Sequence, residues 1–118
     1  MAGDAVVTHG EPHPGNLIRV GAQLMLVDWD TVGLARPERD LWMVAGENGE
    51  ELRRYTAITG RPVDRAALAL YRLRWALDDI SLFARQLRAP HDRSADAEHA
   101  WQALQLTVAG LTVGRRLR

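Results

Sequence analysis

The stretch His9-Gly10-Glu11-Pro12-His13-Pro14-Gly15-Asn16, followed after a short apolar segment by Val27-Asp28-Trp29-Asp30, decides the reading of this chain. Pro12 and Pro14 forbid a regular helix between His9 and Asn16, so the segment is an irregular loop able to direct several side chains toward one point. Loops of this kind are where reactive groups are usually mounted. Ala5-Val6-Val7 reads as a short strand leading in, and Leu17-Ile18-Arg19-Val20 and Leu24-Met25-Leu26-Val27 read as the arms of a hairpin about a turn containing Gly21. A hairpin brings its two ends together. Asn16 and Asp28 are therefore expected to face a shared point although the whole hairpin separates them.

An acid, a carboxamide and a second acid held in this way suit the transfer of a phosphoryl group to a hydroxyl. Glu11 is the acid that would orient the hydroxyl and accept its proton, and Asn16 and Asp28 are oxygen ligands for Mg2+ against the phosphates. The alternative for all three is turn capping and surface solvation, which Asn and Asp often perform.

The two segments resemble the catalytic loop and the metal-binding segment of the aminoglycoside phosphotransferase family, small-molecule kinases distantly similar in fold to protein kinases. The resemblance implies that Glu11 is the catalytic base and that Asn16 and Asp28 are metal ligands. Pro37-Glu38-Arg39-Asp40-Leu41, after Gly33-Leu34-Ala35, is similar to the segment that follows the metal aspartate in spectinomycin-type and related actinobacterial members. There the aspartate matching Asp40 would tie the next helix to the catalytic loop. The family usually has Asp where this chain has Glu11. The additional methylene shifts the carboxylate by about 1.5 Å, and a misplacement on that scale can cost about a hundredfold in rate.

The fold implied is the C-terminal lobe of a protein-kinase-like α+β fold, mainly α with a small β-hairpin and with the N-terminal lobe missing. As a single domain, 1–118, it would comprise the catalytic loop at 8–16, the hairpin at 17–28 and a helical body at 37–116. The cofactors implied for a complete enzyme are Mg2+ and ATP or GTP, and the substrate is a small hydroxylated molecule, aminoglycoside-like, aminocyclitol-like or a metabolite. Family members use a phosphate-contacting lysine from the other lobe. This sequence has none, since all fifteen basic residues are arginine. It also lacks a Gly-x-Gly-x-x-Gly or Gly-x-x-x-x-Gly-Lys stretch to cradle phosphates. Weak or no activity is expected of the chain by itself. The alternative function is a catalytically incompetent lobe that binds ligands or self-associates as a homo-oligomer through its exposed lobe surface.

With 118 residues and 47% hydrophobic content, one compact unit with an ample core is expected. Zero net charge with dispersed arginines argues against nucleic acid as a partner. No apolar run approaches the roughly 20 residues needed to cross a bilayer, and no signal-peptide core is present, so no membrane association and a cytoplasmic location are expected. Arginine in place of lysine, with abundant alanine, suggests a GC-rich bacterial genome.

Further along, Pro37 starts a short helix through Val44 that Gly46 ends, and a second helix runs from Asn48 or Gly49 to Thr59, stopped by Gly60 and Pro62. Asp64 caps a long helix reaching about Leu87, and its apolar breadth, Leu70, Leu73, Leu77, Ile80 and Leu87 with Tyr71, Trp75, Leu82 and Phe83, predicts burial on more than one side. After a loop at 88–93, Ser94 caps a last helix with a stripe of Trp101, Leu104, Val108 and Leu111, and Arg115, Arg116 and Arg118 near its end. His9 and His13 brace the loop, with a zinc or cupin-like role as the alternative. Asp30 is either an outer metal contact or a turn cap. Asp78 and Asp79 are either substrate contacts or a solvated strip with Asp78 paired to Arg74. The four tryptophans read as core anchors, Trp29 packing under the loop.

Overall fold

The computed structural model describes residues 4–88 and 95–116. The chain is mostly helical with two small antiparallel sheets. Strand β1, Val6–Thr8, pairs antiparallel with β4, Gly33–Ala35, in the register Val6↔Ala35, Val7↔Leu34 and Thr8↔Gly33. Between them lies the hairpin of β2, Leu17–Val20, and β3, Gln23–Leu26, with Leu17 opposite Leu26 and Val20 opposite Gln23. The hairpin closes through Gly21 and Ala22. Gly21 has φ +61°, the left-handed sign that a two-residue hairpin turn demands and that glycine supplies without strain.

Four helices follow: α1, Glu38–Val44; α2, Glu50–Thr59; α3, Arg65–Arg88; and α4, Ala95–Arg116. Their boundaries follow from local chemistry. Gly60 ends α2 in the left-handed conformation with its N–H on the Thr56 carbonyl at 2.8 Å. Asp64 caps α3, its Oδ1 accepting from the N–H groups of Ala66 at 2.9 Å and Ala67 at 3.2 Å. Asp64's own N–H is held from another element, by Glu38 Oε1 of α1 at 2.9 Å. α1 therefore fixes where α3 begins. The other Glu38 oxygen is buried without a hydrogen bond but lies 3.5 Å from Arg36 Nε, and Arg36 Nη2 also reaches Asp64 Oδ2 at 3.2 Å.

The chain divides into two compact units, Met1–Tyr71 and Arg72–Arg118. The first contains both sheets, α1, α2 and the opening of α3. Its most enclosed side chains are polar: Thr8, His9, Asn16 and Glu38 are buried, with Ala67 beside them as an apolar member. The centre of this unit is thus a hydrogen-bonded network around the loop. Such networks are rigid when every member is satisfied. In the second unit, Ala100 of α4 is the buried apolar residue among those described.

Several expectations are corrected. α3 is not buried on more than one side: Leu70, Leu73, Leu77 and Leu82 are all exposed, and its half-buried positions include Ala76, Ile80, Phe83 and Leu87. A chain this size has too few elements to cover every side of a helix 24 residues long. The same shortage leaves Trp29 and Trp101 about half exposed, so these two are not core anchors. The stripe on α4 holds at Leu104 and Leu111, which are half-buried, but not at Trp101 and Val108, which are exposed, and Ala100 joins the inward side. The second hairpin arm is Gln23–Leu26, one residue earlier than read, and β4 is an element the sequence reading did not contain. The Ser94 cap, the loop at 89–93 and Arg118 lie outside the described residues. Among those described, no helix is long and apolar enough to cross a membrane.

Candidate active site

The loop between β1 and β2 is built around His9, which is 2% exposed. Its Nε2 donates to the Val27 carbonyl at 2.8 Å, and its Nδ1 accepts from the Glu11 N–H at 3.1 Å. A carbonyl can only accept and an amide N–H only donate, so these partners fix the tautomer. Both nitrogens are thereby used inside the protein, and His9 has none left for a metal. Its ring meets Trp29 edge-on, with centroids 4.7 Å apart and planes at 68°. Trp29 Nε1 donates to the Leu26 carbonyl at 2.9 Å, so the indole supports the end of β3 while remaining half exposed.

Asn16 ends a single 3-10 turn, Pro14–Asn16, and is 8% exposed. Its Nδ2 donates to the Glu11 carbonyl at 2.8 Å, and its backbone carbonyl accepts from Val27 N at 2.9 Å. One residue therefore links the Glu11 backbone to the residue preceding Asp28. With the amide nitrogen committed, the carbonyl oxygen is the side-chain atom Asn16 retains as a cation ligand. His13 caps the same turn, Nδ1 accepting from the Gly15 N–H at 3.1 Å. This places its proton on Nε2, so the 3.4 Å approach of Asn16 Nδ2 to Nε2 is a contact and not a second hydrogen bond.

Asp28 has φ +61° and is the non-glycine residue with a left-handed backbone among those described. That conformation costs an L-residue roughly 1–2 kcal/mol, less for Asp than for most. The bonds at Val27 on one side and Val32 N to the Trp29 carbonyl, 3.1 Å, on the other hold it in place. Its side chain is exposed, and neither it nor Glu11's carboxylate engages another described residue by hydrogen bond or ion pair. Asp tolerates this conformation better than most residues, and here it leaves the carboxylate exposed beside a cluster of fixed groups.

Asp40, in the first turn of α1, accepts from the backbone N–H groups of His9 and Gly10 at 2.7 Å each, through different carboxylate oxygens. Both bonds are short and charge-assisted. Arg39 was not singled out as a site residue from the sequence. Its Nη1 donates to Thr8 Oγ1 and its Nη2 to the Thr31 carbonyl, each at 2.8 Å. Thr8 Oγ1 in turn donates to the Gly33 carbonyl at 2.8 Å, and Thr31 Oγ1 to the His9 carbonyl at 2.7 Å. The guanidinium lies against Gly10, whose φ is +96° and where an added Cβ would sit 2.5 Å from Nη2. Gly10 answers both the left-handed turn and the close approach.

None of the remaining sequence candidates has a hydrogen bond or ion pair to this cluster among the described contacts. Asp30 is exposed on the turn after Asp28. Asp78 and Asp79 belong to α3 within the second unit. No Arg74–Asp78 ion pair forms. Burial, and then the neighbouring Asp78 charge, raise the Asp79 carboxyl above its ordinary value. Among the described residues no three His, Asp or Glu side chains converge as a metal site. A cation at Asn16 and Asp28 would thus take much of its shell from water or phosphate, the habit of Mg2+ rather than of zinc.

Residues 1–75 match the model of the phosphotransferase enzyme family, APH. The chain belongs to that family. Among curated relatives, this phosphotransferase-family chain is similar to Protein StrN of Streptomyces griseus, 32% identical over 98 residues, which is 83% of this chain and 28% of StrN. Among solved structures it resembles a spectinomycin phosphotransferase determined with ADP and spectinomycin. The TM-score is 0.70 at 22% identity, over 89% of this chain and 34% of that one. At that identity the likeness is one of fold. The chain spans about a third or less of the length of both relatives.

Proposed function

We propose that this chain carries the proton-accepting and metal-binding end of a phosphotransferase that moves the terminal phosphoryl group of ATP or GTP to a hydroxyl of a small molecule. In this reading it is the C-terminal lobe of a kinase-like enzyme. The observation that carries the reading is the Asn16 bridge, which ties Glu11 on one side and the neighbour of Asp28 on the other into one rigid frame. Glu11 receives the proton as the substrate oxygen bonds to phosphorus and the nucleoside diphosphate departs. Asn16 and Asp28 offer the hard oxygen ligands that Mg2+ takes, and that ion, when bound, neutralises charge on the phosphate oxygens. His9 and Asp40 keep the loop from shifting during transfer. The spectinomycin bound to the solved relative makes aminocyclitols the first acceptors to test.

The test is phosphoryl transfer from ATP and Mg2+ to a panel of aminocyclitols, preceded by calorimetry with Mg2+ and nucleotide. Glu11→Gln and Asp28→Asn are each expected to lower any transfer by at least about a hundredfold, the scale of a lost general base. Full activity in both variants would refute the assigned roles.

A second reading is favoured by a separate observation. Val7 and Leu34, paired across β1 and β4, are 69% and 76% exposed. Adjacent apolar side chains left so open suit a lobe that associates with a second copy without turning over substrate.

A further inference from the structure

We infer that Arg39 is a positioning residue that sets the spacing between the Glu11 loop and the Asp28 segment. Its consequence for chemistry rests on the phosphoryl-transfer reading above. Asp40 holds only the loop, through the His9 and Gly10 amides. Arg39 spans both sides, with one nitrogen on Thr8 at the entrance to the loop and the other on the carbonyl of Thr31, three residues beyond Asp28. Each contact is relayed across the gap. Thr8 Oγ1 passes on to the Gly33 carbonyl, and Thr31 Oγ1 returns to the His9 carbonyl.

The result is a closed circuit, Arg39–Thr8–Gly33 and Arg39–Thr31–His9, in which one guanidinium fixes two segments that share no covalent neighbour. The planar fork of arginine can reach two diverging acceptors at once, whereas a lysine ammonium on a flexible stem does not hold two such directions. Gly10 gives the fork its room, since any side chain there would occupy the space of Nη2. Beside the Asn16 and His9 bridges to Val27, the spacing of the Glu11 loop and the Asp28 segment is thus held by a residue whose own side chain is given to the scaffold.

The experiment uses Arg39→Lys and Thr8→Val in the full chain, with amide hydrogen exchange at residues 9–11 and 31–33 and Mn2+ affinity by proton relaxation. Arg39→Lys is expected to accelerate exchange in both segments together while α2 keeps its protection, and to weaken Mn2+ binding about tenfold, as loss of an outer support commonly does. Thr8→Val should shift the same two segments by less. Loosening of one segment alone, of neither, or of both with unchanged Mn2+ affinity overturns the inference. If Arg39→Lys does not fold, the paired response in Thr8→Val decides. If the parent chain binds no Mn2+, the functional reading fails, and the exchange data by themselves decide whether Arg39 couples the segments.

Discussion

At the scale of single residues, Asp28 carries a conflict that can be measured. Its left-handed backbone costs roughly 1–2 kcal/mol, and glycine would remove that cost while giving back about 0.4–1 kcal/mol through a freer unfolded chain. Asp28→Gly is therefore expected to be neutral or up to about 1 kcal/mol more stable in urea unfolding. Asp28→Ala keeps the strain without Asp's tolerance of it and should be the least stable. Both should bind metal poorly. If Asp28→Gly were clearly destabilised, the backbone would not be strained as described. That His9, Glu11, Asn16 and the residues around Asp28 belong to one loop-and-hairpin cluster was legible because two prolines and a hairpin at fixed spacing leave a mark in the sequence. Arg39, Thr8 and Thr31 left none, because a guanidinium bridging two hydroxyl-bearing residues has no periodicity and no preferred separation along the chain.

At the scale of elements, three consecutive residues of α1 act on three different partners. Glu38 holds the start of α3, Arg39 joins Thr8 of β1 to Thr31 ahead of β4, and Asp40 holds the loop. Successive helical positions point about 100° apart, so one short turn can serve three directions. Asp64→Ala removes the cap on α3 and an Arg36 partner, and thermal and urea unfolding should report a loss of about 1 kcal/mol. No measurable loss would mean that Glu38's bond to the Asp64 backbone suffices to start the helix. The helices were readable from Pro37, Gly60 and Asp64, which act within one turn. β4 was not, because Gly33-Leu34-Ala35 contains no β-branched residue, and its strand character comes only from pairing with β1.

Two carboxylates on these helices oppose one another in their response to acid. Burial and the Asp78 charge raise Asp79 above its ordinary 3.8, so its contribution to stability is full below that value and is lost as pH rises through the raised one. Glu51 is held below its ordinary 4.5 by hydrogen bonds from its own N–H and then from Gly46 N–H, so its contribution exists above that value and disappears as pH falls. Melting temperatures from pH 3 to 7 should show Asp79→Asn more stable than the parent at pH 7 but not at pH 3. Glu51→Gln should be less stable at pH 7, with the gap closing in acid. Parallel curves for either variant and the parent would exclude a titrating role.

For the whole molecule, composition gave little warning of how few apolar side chains are enclosed. A 47% hydrophobic content sufficed on paper, yet among the described residues the buried apolar side chains are those of Pro12, Ala67 and Ala100. Sequence reports which residues could be covered, and only the count and placement of elements determines which are. Light scattering at rising concentration should therefore yield masses above 13.2 kDa. A chain that stays at 13.2 kDa throughout would argue against association through the Val7 and Leu34 face.

The β2–β3 ribbon adds something of its own. Among the described residues it has no third strand, so a row of backbone groups along each rim is open to recruitment by another polypeptide. From Leu17 to Leu26 the sole charge is Arg19. A single gatekeeper thus separates this hairpin from the uncharged, β-prone runs that seed fibrils.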